Sequence, residues 1–248
     1  MMFLRHPEFI LGSTCKIVKR AVNFLLDLFF PIECLGCGQE GEWTCVACSK
    51  TILLNIKEEC PYCRHFSQNG QICLTCRKHG HYLDGLVAGS SYESALVRRI
   101  ITCLKYNYVR DLAQVVAKIM VQGLYFHGMF LEEEWILVPV PLHRKRLLER
   151  GFNQAELFCQ HLKKTTGFSY QSILSRVCFT LPQAELSRQD RLINLKNVFV
   201  CHGGREIKNK KILLVDDVLT TGTTLNECAR VLKQSGVKEV WGLVGARG

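Results

Sequence analysis

The chain has 248 residues, 48% of them hydrophobic and 22% charged, a balance that excludes a disordered protein and allows one large domain or a small one joined to a medium one. No stretch reaches the roughly 20 apolar residues needed to cross a bilayer, so no membrane span is expected and the cytoplasm is the expected location. The net charge is +10, and it is uneven: nine basic residues face eight acidic ones through residue 85, and 23 face 14 from there on.

The excess of positive charge in the C-terminal part implies an acidic partner, either a phosphorylated small molecule or nucleic acid. Three regions follow in chain order. Residues 1–33 are partly apolar. The run 21–30 follows Lys16, Lys19 and Arg20, but Asp27 interrupts it, no small-residue cleavage site follows, and Pro31 leads directly into the first cysteine pair. Residues 13–30 therefore read as an amphipathic helix packed on its own protein.

Residues 34–80 are rich in cysteine and turns. Of 14 cysteines, eight form four Cys-x-x-Cys pairs, namely Cys34/Cys37, Cys45/Cys48, Cys60/Cys63 and Cys73/Cys76. Thiols spaced this way suit metal chelation in a reducing compartment better than a disulfide network. Two tetrahedral sites of four thiolates each would use all eight, which reads as a double zinc-ribbon module holding two structural zinc ions. Sequential grouping is the simplest, 34/37/45/48 and 60/63/73/76, while a crossed pairing satisfies the spacing too. His65, His79 and His81 lie nearby and are spare. The segment has little apolar content, so metal binding should supply much of its folding energy.

From residue 85 to 248 the pattern becomes α/β. Strands are expected at 86–90, 135–140, 211–215 and 237–244. Helices are expected at 95–122, with a possible break near Asn107, at 153–164, and at 225–234 before a C-terminal Gly236. Strands alternating with helices indicate a mostly parallel sheet flanked by helices.

Two segments of this domain carry chemistry. In the first, the apolar strand ending at Val138, Pro139, Val140 and Pro141 runs into a basic stretch that begins at His143 and Arg144 and ends at Arg150-Gly151. A proline-stiffened turn beside cations could hold a pyrophosphate, and a solvated basic helix face is the competing reading. In the second, the strand 211–215 meets Asp216 and Asp217, then a turn containing Thr220, Thr221, Gly222, Thr223 and Thr224, then a helix. A helix N-terminus supplies unpaired amides to a phosphate, and a glycine lets the backbone approach it. Two aspartates repel a phosphate at such range, so they belong beside hydroxyls or a divalent cation. The combination points to a ligand carrying both a phosphate and a polyol.

Residues 215–224 resemble the phosphoribosyl-diphosphate signature of type I phosphoribosyltransferases. That resemblance implies that Asp216 and Asp217 contact the ribose hydroxyls and that residues 220–224 hold the 5′-phosphate, with Mg2+ accompanying phosphoribosyl diphosphate. The words Pro139-Val140-Pro141 and Arg150-Gly151-Phe152-Asn153-Gln154, the spaced set Arg176, Thr180, Gln183, Leu186, Ser187, Arg191, Asn194 and Phe199, and Lys105-Tyr106 resemble the ComF family of competence-associated proteins. The ComF resemblance extends to the cysteine-rich front and implies the type I phosphoribosyltransferase fold. It also implies that residues 138–141 occupy the pyrophosphate-loop position and that residues 183–194 lie on a flap over the substrate. Lys105 is expected to face the diphosphate or to be a surface lysine. The function implied is a role in DNA uptake and natural transformation with single-stranded DNA contact, alongside other DNA-uptake proteins. The alternative is an active phosphoribosyltransferase whose acceptor is unidentified, since no nucleobase-recognition loop is recognisable.

Overall fold

The protein is described from a computed structural model over residues 31–54, 57–129, 135–177 and 198–248. The expected helix at 13–30 and the expected flap at 183–194 lie outside these residues. Among the described residues no helix is long and apolar enough to cross a membrane.

The cysteine-rich front contributes two short helices, α1 (Val46–Lys50) and α2 (Leu74–Lys78). The α/β part follows in chain order with β1 (Gly85–Ser91), α3 (Ala95–Tyr106), α4 (Leu112–Phe126), β2 (Trp135–Pro139), α5 (Arg144–Arg150) and α6 (Gln154–Thr166). Then come β3 (Ser169–Tyr170), β4 (Leu174–Arg176), β5 (Phe199–Cys201), β6 (Lys211–Leu219), α7 (Thr223–Gln234) and β7 (Glu239–Arg247). Five strands form one sheet in the order β1-β7-β6-β2-β3, and every pairing is parallel. The strands β4 and β5 pair antiparallel apart from it.

A parallel sheet covered on both faces needs strands that are apolar throughout. Accordingly Ile212, Leu213, Leu214 and Val215 are all fully buried. Alternation along the strand sends Leu213 and Val215 to the face covered by α3, α4 and α6, and Ile212 and Leu214 to the face covered by α7 and the β4–β5 pair. Helix α4 lies close against β1: a Cβ at Gly89 would stand 2.7 Å from the Ile119 carbonyl oxygen. Glycine at that position is therefore a packing requirement.

The possible break near Asn107 in the helix expected over 95–122 is realised: Asn107 ends α3, and Tyr108 takes a left-handed conformation with φ of 59°. The strand expected to stop at Val215 continues to Leu219, since β7 keeps pairing with it through Asp216↔Val244, Val218↔Ala246 and Leu219↔Arg247. The acidic pair thus lies within the ladder, where backbone bonds to a neighbouring strand override the low strand propensity of aspartate.

Candidate functional site

The turn after β6 enters α7 through Gly222, which sits at the N-cap with φ of 73°. That left-handed conformation suits glycine. The cap carries no side chain, so the first-turn amides of α7 have no side-chain acceptor at that position. Thr220 and Thr221 are exposed, and the Thr221 and Thr223 hydroxyls lie 2.9 Å apart. Residues 220 through 225 line one open cavity of about 230 Å3.

The two acids point to opposite faces of the strand and meet different surroundings. Asp217 is buried at 4% exposure. Lys105 Nζ, from the last turn of α3, lies 2.7 Å from one of its oxygens, and Gln154 Nε2 donates to the other at 2.8 Å. Arg150 extends the chain by donating to Gln154 Oε1 at 2.5 Å. Asp216 accepts a bond from the Asp217 amide at 2.9 Å and lines the cavity. Burial, reinforced by the neighbouring Asp217 charge, raises its pKa to about 7 against the opposing pull of Lys105 and Arg150.

The opposite wall is cationic. Arg146, Arg150 and Arg176 line the cavity together with Lys105, Tyr106, Val140, Pro141 and Leu142. The basic stretch is the helix α5, capped by His143, whose Nδ1 accepts from the Lys145 amide at 3.1 Å. Asn153 holds the proline turn against α6: its Nδ2 donates to the Val140 carbonyl at 3.1 Å and its Oδ1 accepts from the Ala155 amide at 3.0 Å.

The cysteines gather into two clusters, Cys34/Cys37/Cys45/Cys48 and Cys60/Cys63/Cys73/Cys76, with the four sulfurs of each within 4.8 Å of one another. The sequential grouping is thus the one adopted. The clusters repeat a plan. In each, the third cysteine caps a five-residue helix, Cys45 for α1 and Cys73 for α2, and its sulfur accepts an amide of that helix. In each, the first sulfur also accepts the amide of the third cysteine, at 3.3 Å for Cys34 and 3.5 Å for Cys60. Burial pushes both first thiols up, but the backbone donors outweigh it and bring Cys34 to about 6 and Cys60 to about 7. Four convergent sulfurs with amide donors fit a structural zinc ion, and each cluster can hold one.

Residues 166–244 match the phosphoribosyl transferase domain family. Competence protein F of Haemophilus influenzae is 33% identical over 242 residues, spanning 88% of this chain and 99% of that protein. The chain belongs to the ComF family. Other members extend the likeness: Competence protein ComFC of Streptococcus pneumoniae is 27% identical over 84% of this chain and 97% of its own length. DNA utilization protein YhgH of Escherichia coli is 29% identical over 81% of this chain and 90% of its own.

Against the ComF-based expectations, the cavity brings together Asp216, Asp217, Thr220, Thr221, Gly222, Thr223, Thr224, Val140, Pro141 and Lys105. Val138 and Pro139 are not part of its lining, because they are buried in the sheet as members of β2. Arg144 is not part of it either. On α5 it lies two residues from Arg146, about 200° around the helix, and is exposed; Arg146 and Arg150, spaced by four, share the cavity face instead. The sequence reading does not single out Arg146, Arg150, Arg176 and Gln154 as site residues. The i,i+4 spacing is a usable signal for the first two, whereas nothing local marks Arg176, which arrives on β4.

Proposed function

We propose that this ComF chain binds phosphoribosyl diphosphate, or a related ribose phosphate, together with Mg2+, and acts in the cytoplasm in DNA uptake and transformation with contact to single-stranded DNA. The supporting observation is the cavity itself, which joins a side-chain-free helix N-terminus, an acidic pair and four cations from α3, α5 and β4. The turn at residues 220–224 takes the 5′-phosphate, and Arg146, Arg150 and Arg176 take the diphosphate. The resemblance assigns both acids to the ribose. The geometry favours a division in which Asp216 meets hydroxyls or the hard cation, while Asp217 fixes Lys105 and Gln154. The names Competence protein F and DNA utilization protein carried by relatives support the cellular role.

Calorimetry of phosphoribosyl diphosphate with Mg2+ tests the binding reading, and its pH dependence tests the role of Asp216. A folded pKa raised from 3.8 to about 7 means the folded chain holds this proton more tightly than the unfolded one. Stability from this group therefore falls as pH rises through that window, and a ligand that needs the carboxylate must displace the proton. Affinity is expected to rise between about pH 6 and 8 with proton release. In Asp216→Asn the remaining slope should be only that of the ligand's own phosphates, which titrate near 6. Equal slopes in the two proteins would remove Asp216 from the ligand.

The DNA contact is electrostatic in this reading. Single-stranded DNA affinity should fall steeply with salt, with a log–log slope of about −0.7 per phosphate contacted. A flat response would count against it. The transferase alternative gains support from the same cations, which suit a leaving diphosphate; pyrophosphate release across a panel of acceptors separates the two readings.

A further inference from the structure

The second cysteine cluster is built against the back of the phosphate turn. Tyr62 lies between Cys60 and Cys63, and its ring covers Gly222 so closely that a Cβ there would stand 3.2 Å from Tyr62 Cε1. The Tyr62 hydroxyl donates to Asn226 Oδ1 at 2.9 Å. Asn226 belongs to the first turn of α7, where its amide donates to the Gly222 carbonyl at 2.9 Å. The same Oδ1 accepts the Tyr82 amide at 2.7 Å, and His81 stacks on the Tyr62 ring with centroids 3.7 Å apart.

A second clamp acts on the other side of the knuckle. Arg247, paired with Leu219 at the end of β6, donates to the Cys60 carbonyl at 3.0 Å and the Pro61 carbonyl at 3.3 Å. The Gly248 amide donates to the Leu219 carbonyl at 3.0 Å, and Arg64 reaches the Gly248 carbonyl. The first cluster rests elsewhere, on α3, through Arg99 donating to the Leu35 carbonyl at 2.9 Å.

We infer that Tyr62 is a positioning residue for the phosphate turn, and that metal in the Cys60/Cys63/Cys73/Cys76 cluster sets the affinity of that turn for a ribose phosphate. A knuckle of two residues, Pro61 and Tyr62, between two thiolates is held in one conformation by the ion. It passes that rigidity to Gly222 by ring contact and to α7 by a hydrogen bond. The turn must present several amides at once, so ordering it beforehand lowers the entropy that binding has to overcome. The inference rests on the ribose-phosphate reading of the turn, and its test separates the two.

The test uses the full chain loaded with zinc, phosphoribosyl diphosphate with Mg2+ as probe, and hydrogen exchange of residues 220–226 without ligand. Tyr62→Phe keeps the ring and loses one hydrogen bond, so affinity should fall about fivefold; Tyr62→Ala should cost on the order of 30-fold and speed exchange of the turn. Cys60→Ser should remove one zinc ion and match Tyr62→Ala in exchange and affinity. Arg99→Ala, which loosens the first cluster from α3, should stay within about twofold of the parent chain, the scatter expected away from the site. In a cycle, Tyr62→Phe and Asn226→Ala should be non-additive. Tyr62→Ala with parental affinity and parental exchange would overturn the inference while leaving the ligand reading intact. A parent chain that binds no phosphoribosyl diphosphate would overturn the ligand reading, and exchange of the turn would then decide the coupling alone: unchanged exchange in Cys60→Ser and Tyr62→Ala refutes it.

Discussion

Prolonged chelation is expected to release two zinc ions per chain, expose eight reactive thiols and unfold residues 34–80, while the sheet formed by β1, β7, β6 and β2 survives. The magnitudes decide this. The hydrophobic cluster of the second ribbon comprises only Cys60, Ile72 and Cys76 among the described residues, with Tyr62, Cys63 and Cys73 packed partly against them. Its one fully aliphatic member contributes about 2 kcal/mol by burial, which is small beside the roughly 10 kcal/mol or more of apparent binding energy that a structural zinc ion supplies. Without the ion, four crowded sulfurs are left with only weak amide and thiol hydrogen bonds. The first ribbon is better rooted, because Leu35 belongs to the main core and Trp43 and Ile52 pack against it. It should therefore lose its order later in the chelation than the second. Metal content by mass spectrometry, thiol titration and hydrogen exchange read the three effects together. A chain that contains no zinc as purified, or that keeps native exchange in residues 57–80 after losing it, would refute the prediction.

Much of this arrangement is legible in the residues because it depends on short-range order. The strand–acid–threonine–glycine run is contiguous, so the phosphate turn is visible in the chain before folding. The four Cys-x-x-Cys pairs are equally visible, although their grouping is decided only by the fold: spacing allows crossed solutions as well, and contacts within each half select the sequential one, the Cys45 amide donating to Cys34 Sγ and the Cys73 amide to Cys60 Sγ. What stays hidden is long-range. Arg176 reaches the cavity from β4, Gln154 reaches Asp217 across 63 positions, and Tyr62 reaches Asn226 across 164. No periodicity encodes such meetings. Lys105 shows the same limit: a helix-end lysine reads as either a ligand contact or a surface charge, and the fold places it on the cavity wall already paired with a buried carboxylate.

That pairing carries the other large expected effect. Lys105→Met should destabilise the chain by about 3 kcal/mol, the low end for breaking a buried ion pair, because the lysine side chain keeps 22% of its exposure. Burial alone would lower the Lys105 pKa, yet the Asp217 carboxylate more than compensates and raises it above 10.5. The pair's contribution is therefore complete at neutral pH and is lost only as the solution passes above that raised value. Removing the ammonium leaves Asp217, at 4% exposure, with the Gln154 amide as its remaining side-chain donor among the described residues. Removing the acid is gentler, since Lys105 sits near the cavity and its flexible stem can carry the charge to water; Asp217→Asn should cost about 1 kcal/mol. The double variant Lys105→Met/Asp217→Asn should then be more stable than Lys105→Met alone, because no unpaired charge remains in the interior. Urea unfolding of the four proteins gives the cycle directly. A Lys105→Met cost below about 1 kcal/mol, or a double variant worse than both singles combined, would show that the pair is held by the surrounding packing and adds nothing of its own.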